Sequence, residues 1–204
     1  MAKVELRFSE EELHHLIRAW LAISLAFAIV FARDYPGFGA LPTFGLSSLT
    51  VGLSFIIHEL AHKFVAQKYG CWAEFRSFDL GLVLAVIMAF VGGFVFAAPG
   101  AVMISGMVDE EENGKIAAVG PMTNLALALV FTGLAFVLRP VLLASGNSFA
   151  IWIMLFLLLG RSINSWLALF NLLPFGIMDG FKIQRWNPRV WLALIAVSVI
   201  LVFA

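Results

Sequence analysis

Residues 54–69 read SFIIHELAHKFVAQKY. At the centre stands His58-Glu59-Leu60-Ala61-His62, an H-E-x-x-H pattern. On a helix, positions four apart share a face, so His58 and His62 can reach one metal ion together. Glu59 lies beside them, where a carboxylate can act as a base on water. Upstream, residues 49–57 read LTVGLSFII, a largely apolar run. Such a flank is unusual for a soluble zinc hydrolase. A metal-binding pattern at the end of an apolar run points to chemistry inside or at the edge of a membrane. Ionisable residues are costly there and default to function, and three within five positions are hard to explain as packing.

The composition agrees. The 204 residues are 62% hydrophobic and 13% charged, with a mean hydropathy of +0.98. A soluble domain has about half apolar and about a quarter charged residues. The chain therefore reads as an all-α polytopic membrane protein with about five to six transmembrane helices, in a single domain over 1–204. A net charge of zero gives no electrostatic case for nucleic acid. The lone Cys71 has no internal disulfide partner. The polar start leads into an apolar run that looks too long for a signal peptide and lacks a clear cleavage site.

Taken in order, Ser9-Glu10-Glu11-Glu12 reads as a capping box opening a helix to about residue 32. His14 and His15 fall on its polar first turn, as interfacial histidines or, less simply, as metal ligands. Residues 33–45 are rich in Gly and Pro and read as a loop. The core helices are expected at about 46–69, 116–138 and 149–173. Lys63 and Lys68 mark the far end of the first. Residues 80–106 could be one span, or two limbs that turn at Gly92-Gly93, the second with a non-helical stretch. Residues 109–115, DEEENGK, read as a charged loop. The helix after it opens with Gly120-Pro121-Met122-Thr123-Asn124. Arg161 interrupts the next helix, where it could pair with a carboxylate such as Glu74 or Asp79 or line a water-filled cavity. Residues 189–204 form a last, short apolar helix.

A catalytic zinc has three protein ligands and one open position, so two histidines are one short. By position the best third ligand is Asp179. It follows an apolar helix, after a proline that ends the helix and glycines that let the backbone turn. Asp179 could instead cap a turn at the interface.

Three stretches now stand in one order: His58-Glu59-Leu60-Ala61-His62, then Gly120-Pro121-Met122-Thr123-Asn124, then Asn171-Leu172-Leu173-Pro174-Phe175-Gly176-Ile177-Met178-Asp179-Gly180. In this combination the chain resembles the site-2 protease family of intramembrane zinc metalloproteases. The resemblance implies that His58, His62 and Asp179 bind one zinc ion and that Glu59 is the general base. It implies that Asn124 lies near the active site and contacts substrate or transition state, with an interhelical hydrogen bond as an alternative or companion role. The substrate it implies is a transmembrane protein, cut within or near its membrane segment in the lipid bilayer. The chain leaves no room for an inserted PDZ domain. The family carries a re-entrant β-element between its first two motifs, and residues 97–104 look like it. A strand edge there could pair with an unwound substrate.

The three motifs can meet only if the chain crosses an even number of times between Tyr69 and Ile116. A re-entrant 80–106 satisfies this and a single span does not. It also gathers Lys63, Lys68, Arg76, Lys115, Lys182, Arg185 and Arg189 on one side, with Lys3, Arg7 and Arg18. The positive-inside rule makes that side cytosolic. The expectation is a multi-pass protein of the cell membrane with its active site toward the cytosol. Asn164, Ser165 and Asn171 could line a water path or pack between helices. Two rival functions are a catalytically inactive, protease-like chaperone or scaffold and, with less support, a metal transporter. Oligomeric state is left open.

Overall fold

The computed structural model describes residues 6–93, 95 and 99–203. Among the described residues, four helices are long and apolar enough to cross a membrane: Glu10–Asp34, Ala40–Lys68, Glu110–Ser145 and Ser148–Asn171. Asp79–Gly92 and Pro188–Phe203 are shorter apolar helices. With one small two-stranded sheet, this is an all-α polytopic membrane protein. The chain divides into two compact units, Met1–Val108 and Asp109–Ala204. Lys3 and residues 97 and 98, which entered the sequence reading, lie outside the described residues.

In the first unit, α1 (Glu10–Asp34) starts where Ser9 caps it, the Ser9 hydroxyl accepting from the Glu12 amide at 3.1 Å. Only that half of the expected capping box forms. The Glu12 side chain turns inward instead and is fully buried, paired with the equally buried Lys63. The other Glu12 oxygen accepts the Phe75 amide at 2.9 Å. Lys63 is therefore no interfacial marker. A buried lysine without a counter-charge is far costlier than an unmade capping bond. Removing one partner of such a pair costs about 3–5 kcal/mol.

The Gly/Pro-rich stretch is shorter than expected, because α2 (Ala40–Ser47) takes up its second half. Pro42 sits in the first turn, where a missing amide is tolerated. A wide π turn over Ser48–Gly52 joins α2 to α3 (Leu53–Lys68). Trp20 of α1 donates its indole N–H to the Ser48 carbonyl at 3.2 Å. Thr43, Ser47, Ser48, Thr50 and Ser54 are all buried along this segment. Thr43, Ser48 and Thr50 return their hydroxyl protons to carbonyls one turn back. Those three hydroxyls are thereby kept satisfied in a helix with apolar surroundings.

Strand β1 (Trp72–Ser77), helix α4 (Asp79–Gly92) and strand β2 (Gly100–Ser105) follow. Gly93 closes α4 in the left-handed conformation, φ 70°, which a side chain would disfavour. The strands pair antiparallel, Ser77 opposite Gly100 and Trp72 opposite Ser105. A chain that leaves at Ser77 and is back beside it at Gly100 has made no net crossing. The described part of 80–106 is therefore a helical limb and a returning strand, not one span.

In the second unit, α5 (Glu110–Ser145) and α6 (Ser148–Asn171) form a long helical hairpin closed at Gly146-Asn147. The stretch 109–115 is not a loop. Asp109 caps α5 and Glu112 answers in a complete capping box, so the helix begins two turns earlier than its apolar part suggests. Gly120–Asn124 thus lies well inside α5, with Pro121 fully buried. After a turn come α7 (Asp179–Trp186) and α8 (Pro188–Phe203). Leu172 and Ile183 are fully buried with Ala117 and Ala118, and Trp186 and Trp191 pack on that core.

Candidate metal centre

His58, Glu59 and His62 sit in the middle of α3, and all three are buried. The helix face carrying the histidines also carries Ser54, one turn back. The two imidazoles meet edge to face, with ring centroids 4.7 Å apart. Their Nε2 atoms are 3.0 Å apart. Ligand nitrogens about 2.0–2.1 Å from a tetrahedral zinc are about 3.3 Å from each other. The pair is thus already spaced as two ligands of one ion. His58 and His62 belong to the first unit and Asp179 to the second, and each offers a ligand atom of a kind that binds a divalent metal. Two imidazoles and a carboxylate are a donor set that suits zinc.

Asp179 opens α7, and its position follows from the turn before it. Gly180 lies so close to the Leu172 and Leu173 carbonyls that any Cβ would collide with backbone. Trp191 of α8 donates its indole N–H to the same Leu172 carbonyl at 2.8 Å. The sequence Asp179-Gly180 is therefore one structural phrase: the glycine allows the tight return that sets the aspartate.

Asn124 is fully buried and donates its amide to Asn164 Oδ1 at 2.8 Å. Asn164 in turn donates to the Gly160 carbonyl at 2.8 Å. The interhelical hydrogen bond anticipated for Asn124 is present between α5 and α6. Asn171 and Ser165 donate to carbonyls of their own helix, at 2.9 Å each. Arg161 reaches the Leu201 carbonyl in the last turn of α8, at 3.2 Å. Its conceivable partners are engaged elsewhere, Glu74 with Arg76 at 2.7 Å and Asp79 with Arg18 at 3.3 Å.

His14 and His15 do not enter the metal group among the described residues. His15 instead accepts the Ser77 amide at 3.2 Å, closing part of the β1 edge. Glu74, on the same strand, titrates below the ordinary carboxylate value. Burial alone would raise it, but hydrogen bonds from Arg76 and Ser9 and the charges of Arg76 and Lys63 outweigh that.

Comparison with known proteins decides the family. Over 186 residues the chain is 45% identical to the putative zinc metalloprotease MJ0611 of Methanocaldococcus jannaschii, covering 91% of this chain and 89% of the relative. The chain belongs to this zinc metalloprotease family. A second relative, the putative zinc metalloprotease YwhC of Bacillus subtilis, is 31% identical over 151 residues, or 66% of this chain and 65% of its own length. No family model and no solved structure matches. The metalloprotease's buried Glu12–Lys63 pair escaped the sequence reading. A charged residue near a helix end reads as interfacial until its partner, 51 positions away, is known. The role of Gly180 was legible only as flexibility, because the carbonyls it must clear belong to the preceding turn.

Proposed function

We propose that this metalloprotease is of the site-2 type, hydrolysing peptide bonds within or near transmembrane segments of other membrane proteins. The observation that carries the reading is the pair of buried imidazoles, Nε2 to Nε2 at 3.0 Å, beside a buried Glu59. They stand on a helix apolar and long enough to span the bilayer. His58, His62 and Asp179 would hold one zinc ion. When bound, zinc supplies Lewis acidity, lowering the pKa of water and polarising a carbonyl. Glu59 accepts the proton of the attacking water and later passes it to the leaving amine. Asn124, held by Asn164, presents an oriented amide that would contact the substrate. The transporter reading asks for further ligand clusters, and among the described residues there is one.

A helical substrate hides its carbonyls, so the segment to be cut must be extended. The sheet has one edge to receive it. On β1 the amides of Phe75 and Ser77 point away from β2 and are taken by Glu12 and His15 of α1. Glu74 and Arg76 therefore face β2, opposite Met103 and Ala101. By the same alternation the backbone groups of Val102 and Ile104 face the outer edge of β2. That edge suits strand addition by a substrate. A proline at Ile104 removes one of those donors. Ile104→Pro is expected to cut cleavage of a single-span reporter at least about tenfold with zinc content unchanged. Full activity in that variant would rule out pairing at this edge.

The basic residues near helix ends that remain at the surface, Lys68 and Arg185 among them, support an active site toward the cytosol of the cell membrane. Cysteines introduced at residues 109–113 of intact cells should resist an impermeant thiol reagent until the membrane is opened. Labelling from outside would reverse the orientation.

A further inference from the structure

We infer that the buried Glu12–Lys63 pair is a positioning device that fixes the helix bearing His58 and His62 against the sheet, so that the open edge of β2 keeps one register relative to them. This rests on the protease reading above. Lys63 follows His62 directly on α3. Its ammonium pairs with Glu12 Oε2, and both side chains are wholly excluded from solvent. The other oxygen, Oε1, accepts the Phe75 amide at 2.9 Å. One carboxylate thereby joins α1, α3 and β1. β1 is in turn paired with β2 over its whole length, so direct bonds run from Lys63 to the strand with the open edge.

Secondary contacts hold the same junction. The Ser9 hydroxyl donates to Glu74 Oε2 at 3.1 Å, and Phe55 of α3 meets Phe75 edge to face, centroids 5.7 Å apart. Lys63 Nζ also lies 4.2 Å from the centre of the Phe8 ring.

A buried ion pair is a poor means of adding stability, since apolar residues of similar size serve as well or better. What it supplies is direction. An apolar contact tolerates sliding, whereas a charged pair that also receives a backbone amide has one arrangement. Register matters at a strand edge, because a slip of two residues keeps the side-chain faces and so goes otherwise unopposed. A two-residue slip of β2 relative to the histidines would move the cut by two residues in the substrate.

The test uses the full chain in lipid nanodiscs. Glu12→Gln alone strands a buried ammonium and is expected to fold poorly, so the informative variant is Glu12→Gln with Lys63→Met, which removes both charges. Spin labels at Ile57 and Met103, both exposed, report the distance between α3 and β2. The parent should give one narrow distance and one cut in a Leu/Ala single-span reporter with a central Asn-Gly. The double variant should keep its zinc, broaden the distance, add cuts two residues away, and lose about 10²-fold in cleavage rate at the original position. A narrow, unchanged distance in the double variant overturns the inference, and so does a single unchanged cut. A parent that binds zinc but cuts no reporter counts against the protease reading alone, and the distance measurement still decides the role of the pair.

Discussion

Glu59→Gln should bind zinc as the parent does and lose cleavage by about 10² to 10⁴-fold, the range that a positioned general base contributes. The substitution keeps the shape of the side chain and its capacity to accept one hydrogen bond. It removes the ability to take a proton. Glu59 is buried beside His58 on α3, the helix that also carries His62. A glutamine there leaves the 3.0 Å spacing of the two Nε2 atoms under the control of the same helix. Metal content by mass spectrometry and reporter cleavage by gel separate the two effects. Retained cleavage in the variant would remove Glu59 from the chemistry. Loss of zinc together with cleavage would make Glu59 a structural partner of the metal site instead of a base. The same pair of measurements separates a protease from an inactive scaffold, which would bind zinc and cut nothing in the parent.

Helical periodicity made the centre of the fold legible. His58 and His62 need only a helix to converge, and an apolar helix of that length needs a membrane. The return of residues 80–106 was also within reach, through the parity of crossings that three motifs require. What the sequence hid were features set by partners distant in the chain. Lys63 reads as interfacial because its charge is visible and Glu12 is not beside it. Residues 109–115 read as a loop because charge outweighs helix propensity by eye, although Asp109 and Glu112 stand at capping-box spacing. Arg161 had no evident partner because its acceptor is a backbone carbonyl at Leu201, and carbonyls carry no sequence signal.

Asp179→Ala should weaken zinc binding by at least about 10²-fold and abolish cleavage, because two imidazoles leave a catalytic zinc one ligand short. The rival role, a cap at the start of α7, predicts otherwise. A lost cap costs about 0.5–2 kcal/mol of stability and leaves the metal bound. Asp179 is the first residue of α7, and Met178 occupies the N-cap position with no side-chain cap bond. The position therefore offers capping little to explain. Asp179→Asn discriminates further, since it retains hydrogen bonding but not the charge a zinc ligand supplies. Zinc affinity should fall in Asp179→Asn while thermal stability of the zinc-free protein holds. Gly180→Ala supplies the converse. Its Cβ must displace the Leu172 and Leu173 carbonyls, and with them the turn that Trp191 fastens at 2.8 Å. That variant should lose zinc affinity and apo-protein stability together. If Asp179→Ala instead binds zinc at parental affinity, the third ligand lies elsewhere and the aspartate only serves the turn.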